Sequence, residues 1–304
     1  IDVRISGDEY SDGGLNINDA TYIAKQLEKA GADMLHVSGG TTIKRGSSIP
    51  APGTKQGSHA EAARYIKKHV TIPVATVGRI TETWMAEEII ANEMADAVMI
   101  GRANLCDPEF CNKSIEGREI EIRPCIGCLR CLNGVMFGKP VSCTINPSFA
   151  LENEETLQEA EVKKKILVIG GGPAGMEAAI VAAKRGHKVV LCEAQNQLGG
   201  QIQLACIPIG KQEMTKVVQN MCYRLNKLGV EVRLNTPVTK EMLLEEFKDY
   251  EIIAACGAKA NTIPAFEGFK QTMTADDILA GKAFPGRKIV IIGGGSVGCE
   301  LADY

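Results

Sequence analysis

The chain has 304 residues, enough for about two domains with sizeable cores. Its 34 Lys and Arg against 37 Asp and Glu leave a net charge of −3, which argues against a polyanion partner such as nucleic acid. Apolar residues make up 45% and no apolar run approaches membrane-spanning length, so a soluble globular protein without a membrane partner is expected.

From residue 1 to about 105, short apolar strands alternate with amphipathic stretches. The strands are "DVRIS" (2–6), "DMLHVSG" (33–39), "IPVATVG" (72–78) and "ADAVMIG" (95–101). Repeated βα units of this kind predict parallel strands. Four units make half of a (β/α)8 barrel, although doubly wound sheets share the local pattern. The last two strands end in Gly78-Arg79 and Gly101-Arg102. Barrels commonly hold phosphate in the loops after strands seven and eight, where glycine admits the ligand and arginine offers a bidentate fork. Arg4 lies inside the first strand between Val3 and Ile5, where a cation needs a partner. His36, Gly39 and Gly40 end the second strand; the glycines suit a closely approaching ligand, and His36 suits a hydrogen-bonded core position.

Residues 123–143 read "RPCIGCLRCLNGVMFGKPVSC", with Cys125-x2-Cys128-x2-Cys131-x11-Cys143. Three thiols within seven residues, and a fourth after a short loop, match the four thiolates of a [4Fe–4S] cluster. Structural zinc usually takes two separated C-x2-C pairs instead. Disulfides persist in oxidising compartments, whereas eleven cysteines with no leader segment point to a reducing cytoplasm.

After a charged connector, "KKILVIGGGPAGMEAAIVAAKRGHKVVLCEA" carries Gly170-x-Gly172-x-x-Gly175 between a strand and a helix, and its second strand ends in Glu193. The glycines permit the turn, the pyrophosphate approach and the helix–strand contact, and the acid suits ribose hydroxyls. "LGGQI" (198–202) adds Gln201 and a second backbone approach point. A helix (211–228) and the strands "VEVRLN" and "EIIAACGA" follow, the last ending at Gly257. Gly293-x-Gly295-x-x-Gly298 then repeats the fingerprint. Both ends of the chain look cut, as expected of an internal piece of a longer polypeptide.

Arg4, "VGRI" (77–80), "IGRANL" (100–105), "CIGCLRC" with "SCTINP", and "VIGGGPAGMEAA" with "GGQ" together resemble the multidomain old yellow enzyme-like NADH:flavin oxidoreductases. That family includes bacterial 2,4-dienoyl-CoA reductases, 2-enoate reductases and bile-acid-pathway steroid reductases, with trimethylamine dehydrogenase a more distant relative. The resemblance implies an α/β chain in five parts. Residues 1–122 would be the C-terminal half of an FMN-binding TIM barrel, and 123–150 the iron–sulfur segment. A linker at 151–163 would lead into a Rossmann-like FAD domain (164–260) and the start of an NAD(P)-binding domain (261–304).

By the same resemblance, Arg4 would meet the flavin ring, and Gly78, Arg79, Gly101 and Arg102 the FMN phosphate. Cys125, Cys128, Cys131 and Cys143 would ligate iron. Gly170, Gly172, Gly175, Glu193 and Gln201 would line the FAD site, with Gly257, Gly293, Gly295 and Gly298 also meeting nucleotide cofactors. The dienoyl-CoA reductases have one more residue between the second and third cysteines, and their relay histidine corresponds to Thr42 here. No catalytic proton donor is named within this chain.

The implied function is NAD(P)H-dependent reduction of an activated C=C bond in an enoate, enoyl-CoA or enone. Electrons would run from NAD(P)H through FAD and [4Fe–4S] to FMN and the unsaturated carbonyl substrate, and a homo-oligomer is compatible with the family. The alternative is an amine dehydrogenase that passes electrons to a carrier protein. A non-catalytic electron-transfer subunit would apply only to a chain lacking the other barrel half, whose absence would leave strand edges unpaired.

Overall fold

The computed structural model describes residues 1–41, 48–152, 157–261, 264–266 and 269–304. The chain divides into two compact units, Ile1–Asn153 and Glu154–Tyr304. Thr42 and residues 153–156 of the expected linker lie outside the described residues.

In the first unit, β1 (Asp2–Ser6), β2 (Met34–Ser38), β3 (Val74–Thr76) and β4 (Ala97–Val98) form one parallel sheet in chain order. The crossovers carry α1 (Ile17–Lys29), α2 (Ala60–Lys67) and α3 (Thr83–Ala91). Helix α1 starts at a reciprocal cap. The Asn16 side chain accepts from the Asn18 and Asp19 amides, while Asp19 accepts from the Asn16 amide. One core joins the helices to the sheet through Ala20, Ala24, Leu35, Val37, Ala63, Ile66, Val74 and Ile89.

The strand-period pattern leaves Arg4, His36 and Ala75 in register on the opposite face. The expected strand at 72–78 pairs only over Val74–Thr76. Pro73 brings no N–H to the ladder, and Gly78 bends away at φ 131°. The short helices α4 (Arg102–Cys106), α5 (Phe110–Ile115) and α6 (Arg130–Met136) follow.

In the second unit, β5 (Lys165–Ile169), β6 (Lys188–Cys192), β7 (Glu231–Arg233) and β8 (Glu251–Ala254) form a parallel sheet in the order β7-β6-β5-β8. Counted from β5 this is 3-2-1-4, the beginning of the doubly wound order. Ile166, Leu167 and Val168 are all buried, as expected of a central strand covered on both faces. Helices α7 (Pro173–Lys184), α8 (Ile202–Ala205) and α9 (Thr215–Lys227) flank the sheet. A forked ion pair from Arg224 to Glu177, at 3.0 and 3.2 Å, joins α9 to α7.

Beyond them come α10 (Lys240–Leu244), α11 (Ala275–Leu279) and α12 (Ser296–Asp303). The apolar run 289–292 precedes α12 but pairs with no strand among the described residues. No helix among them is long and apolar enough to cross a membrane.

Candidate functional site

The four motif cysteines line one small pocket, walled by apolar Ile126, Leu129 and Ile145. Its loop is wound tightly: Gly127 (φ 68°) and Leu129 (φ 59°) are both left-handed. For leucine that conformation is costly, the kind of strain that collects at functional sites. The turn brings the Gly127 amide to the Cys125 sulfur. Burial pushes the Cys125 thiol up, opposed by that amide and by Arg102.

At Cys143 the balance runs the other way. A hydrogen bond with Cys106, the Asn146 and Ile145 amides and the Arg123 charge outweigh burial and pull its thiol down to about 6. Among the described residues no three His, Cys, Asp or Glu side chains converge on one ion position. Four thiols, apolar walls and amide donors at the sulfurs suit a multi-iron cluster, whose thiolates sit at separate corners.

The strand-end loops converge on the same region. Gly78 and Arg79 (φ 56°) are both left-handed at the end of β3. Arg79 is 5% exposed, and its Nη1 donates to the Thr54 carbonyl at 2.7 Å. A side chain on Gly127 would lie 2.9 Å from Arg79 Nε, so the β3 loop and the cysteine loop are in contact. Arg102 begins α4, lines the cysteine pocket and donates to the Pro50 carbonyl at 2.8 Å.

Among the described residues nothing lies within 4 Å of where a Gly101 Cβ would stand, which leaves its backbone room for a ligand. Gly39 and Gly78 are different. Their missing side chains make room for His59 and Ser58, at 2.7 Å from His59 Nδ1 and 2.6 Å from Ser58 Oγ. His59 is 1% exposed, and among the described residues its Nδ1, His36 Nε2 and Ser58 Oγ have no hydrogen-bond partner. Burial first, and then the Arg4 charge, lowers the pKa of both His36 and His59. Unpartnered polar atoms beside the strand-end glycines Gly39 and Gly78, under the influence of the Arg4 charge, suit an anionic, hydrogen-bonding cofactor such as FMN.

In the second unit Gly170 (φ 108°) makes the turn; a Cβ there would strike the Ala255 carbonyl at 2.3 Å. One on Gly175 would lie 1.9 Å from the Gly170 oxygen, so α7 packs directly on the strand end. Gly172 caps α7 in extended backbone with no side-chain cap, its Cβ position 3.9 Å from the Gly200 Cα, so the helix starts where an anion is favoured. Glu193 accepts from the Gly171 and Gln195 amides, at 2.5 and 2.8 Å. Gln201 donates to the Ala258 carbonyl at 3.0 Å, and Gly257 (φ 71°) is open.

The second fingerprint repeats the first: Gly293 turns at φ 111°, Gly295 caps α12, and a Cβ on Gly298 would lie 1.9 Å from the Gly293 oxygen.

Sequence reading passed over Cys106 and His59. Cys106 lies one helical turn after Arg102, an i,i+4 spacing that puts both on one face of α4. His59 carried no motif; it matters because two strand-end glycines close around it.

Residues 1–121 match the NADH:flavin oxidoreductase / NADH oxidase family and 164–304 the pyridine nucleotide-disulphide oxidoreductases. The chain is 42% identical to the NADH oxidase of Thermoanaerobacter brockii over 313 residues, covering 100% of this chain and 48% of that protein. It is 36% identical to the cinnamate reductase of Clostridium sporogenes, covering 97% and 44%. The solved complex of 2-naphthoyl-CoA reductase with 2-naphthoyl-CoA superposes with a TM-score of 0.93 at 27% identity, covering 99% of this chain and 46% of that one. The chain spans about half the length of the curated relatives it matches.

Proposed function

This chain belongs to the multidomain NADH:flavin oxidoreductases, and from that premise we propose that it serves NAD(P)H-dependent reduction of an activated C=C bond in an enoate, enoyl-CoA or enone. Relatives named for cinnamate and 2-naphthoyl-CoA support an unsaturated acyl substrate. The observation that carries the reading is the second glycine turn. Gly293, Gly295 and Gly298 repeat the geometry of Gly170, Gly172 and Gly175, down to the 1.9 Å approach of helix to strand end. Two such nucleotide turns suit a pyridine nucleotide delivering electrons to a flavin; an amine dehydrogenase has no need of the second.

Cys125, Cys128, Cys131 and Cys143 would hold a [4Fe–4S] cluster, their sulfurs steadied by the Gly127, Ile145 and Asn146 amides. Open Gly101 and the arginines Arg79 and Arg102 would receive the FMN phosphate, with Arg4 behind the ring. The amides after Gly172 would meet the FAD pyrophosphate, and Glu193 would hold the loop that lines it. When bound, these groups supply hydride acceptance from NAD(P)H, one-electron transfer and hydride delivery to the β-carbon of the substrate.

The test is analysis of anaerobically purified full-length protein. About four iron and four acid-labile sulfide per chain are expected, together with flavin bleaching by NAD(P)H and reoxidation by an enoate. Stoichiometric zinc without sulfide sinks the cluster. Bleaching by a methylated amine but not by nicotinamide sinks the reductase.

A further inference from the structure

The cysteine segment is fastened at both ends by residues that are not themselves thiols. Arg123 stands two residues before Cys125 and Asn146 three after Cys143. Arg123 Nη1 donates to Asn146 Oδ1 at 2.7 Å, which closes the segment into a ring. Asn146 is 3% exposed, and its Nδ2 donates to the Leu105 carbonyl in α4 at 3.1 Å. The Arg123 backbone amide donates at 2.9 Å to the Asp107 carboxylate, which is 2% exposed and also takes Lys113 at 2.6 Å. Both ends of the ring thus hang on the end of α4.

These ties do not serve the four cysteines equally. Cys125, Cys128 and Cys131 share one tight turn, which places them by itself. Cys143 returns only after eleven intervening residues, so its approach depends on what holds the returning chain. Two further side-chain ties lie on that return: Arg130 Nε to Ser142 Oγ at 3.1 Å, and Cys128 Sγ with Thr144 Oγ1 at 3.3 Å. Both are exposed, where water replaces a lost partner at little cost. The ties of buried Asn146 are different, because breaking them strands polar groups away from water.

We propose that Arg123 and Asn146 are positioning residues, their ring closure holding Cys143 at the fourth corner of the cluster so that the fourth iron is retained. The inference rests on the reading that the four motif cysteines carry [4Fe–4S]. Three irons find their thiolates within the tight turn, whereas the fourth depends on Cys143 and so on the clamp; partners outside the ligand shell orient ligands in this way. With the clamp opened, a one-electron oxidant such as ferricyanide takes one electron and the iron at Cys143 leaves as Fe2+. [4Fe–4S]2+ then becomes [3Fe–4S]+ with all its sulfide, and the freed Cys143 thiolate takes up a proton.

The experiment treats the anaerobically purified full-length holoprotein and its Asn146→Ala, Arg123→Met and Arg123→Lys variants with ferricyanide. Iron, sulfide and the EPR spectrum of the oxidised protein are followed with time. Asn146→Ala and Arg123→Met should lose the fourth iron at least about tenfold faster than wild type. They should keep their sulfide and develop the EPR signal of an oxidised three-iron cluster, which the four-iron cluster lacks. Arg123→Lys keeps a cationic donor for Asn146 and should behave as wild type. Loss of the fourth iron at the wild-type rate in Arg123→Met overturns the proposal. So does joint loss of iron and sulfide, which marks collapse of the whole segment, or an Arg123→Lys variant as labile as Arg123→Met. The Arg123 pair leaves the buried Asn146–Leu105 bond in place, so it decides the outcome even where Asn146→Ala fails to fold. Wild-type protein without iron and sulfide defeats the cluster reading itself; a wild-type cluster insensitive to the clamp defeats only this inference.

Discussion

The Glu193 carboxylate holds the Gly171 amide at 2.5 Å, so the acid at the end of β6 fixes the middle of the glycine turn that follows β5. Its other oxygen takes the Gln195 amide at 2.8 Å, and the residue is 8% exposed. The side chain proposed to meet the ribose therefore also holds the loop.

Replacing Glu193 by Ala strands the buried Gly171 amide, a loss of about 1–3 kcal/mol. Thermal unfolding should show that destabilisation, and equilibrium dialysis should show at least tenfold weaker FAD binding with FMN retained. A variant that keeps both wild-type stability and full FAD would remove Glu193 from the clamp.

Two glycines test the difference between packing and ligand approach. Gly175→Ala puts a methyl 1.9 Å from the Gly170 oxygen, too close for any local adjustment, and should abolish a folded second unit as read by protease resistance. Gly101→Ala meets nothing within 4 Å, and its backbone (φ −94°) suits any residue. It should leave the melting temperature unchanged while weakening FMN binding. Equal stability losses at both positions would mean that Gly101 serves packing alone.

Arg102→Ala removes charge-assisted hydrogen bonds worth about 1.5–3 kcal/mol, or roughly ten- to a hundredfold in FMN affinity. FAD content should not change. Full retention of FMN after dialysis would take Arg102 out of the phosphate site.

His59 carries a pH dependence whose sign follows from its lowered pKa. Burial, and then the Arg4 charge, keeps the folded imidazole neutral to lower pH than in the unfolded chain. Below about pH 6.5 the unfolded chain takes up a proton that the folded one refuses, so stability falls as pH falls through this region. The contribution is fully present above the unfolded value and has a limiting slope of about 1.4 kcal/mol per pH unit. His59→Phe keeps a ring beside Tyr10 (ring centroids at 6.3 Å) and removes the titration. Its stability should depend less on pH between 5 and 6.5 than that of wild type, by chemical denaturation. An identical slope would place the titrating group elsewhere.

The parts of this site written as local spacing were legible in the chain. The glycine fingerprints fix a turn and a helix start within six residues, and the cysteine triplet needs only one loop and a short return. The four parallel βα units were likewise readable from period and strand-end glycines. What spacing does not encode is convergence. Cys106 joins the pocket of the motif thiols because Asp107 and Asn146 tie α4 to residues 16 and 41 positions on. Arg79 meets Gly127 through a left-handed residue that no propensity favours. The glycines of β2 and β3 read as ligand clearance, yet the room beside Gly39 and Gly78 is taken by His59 and Ser58. A single missing Cβ looks the same in sequence whether a cofactor or a side chain fills its place.

The direction of electron flow can be tested at one thiol. Cys128 is exposed on the cysteine loop of the first unit, its sulfur 3.3 Å from Thr144 Oγ1, and it lies outside both glycine fingerprints in the chain. Cys128→Ala should therefore cost one cluster ligand while leaving both nucleotide folds intact. In stopped flow, NAD(P)H should still bleach FAD at the wild-type rate, because hydride acceptance needs only the second unit. FMN reduction by NAD(P)H and enoate turnover should fall severely if the proposed cluster carries the electrons between the two flavins. Dithionite, which needs no nucleotide, should still reduce FMN and support one turnover of the enoate. Normal NAD(P)H-driven turnover in Cys128→Ala would mean that the four cysteines lie off the electron path, whatever metal they hold.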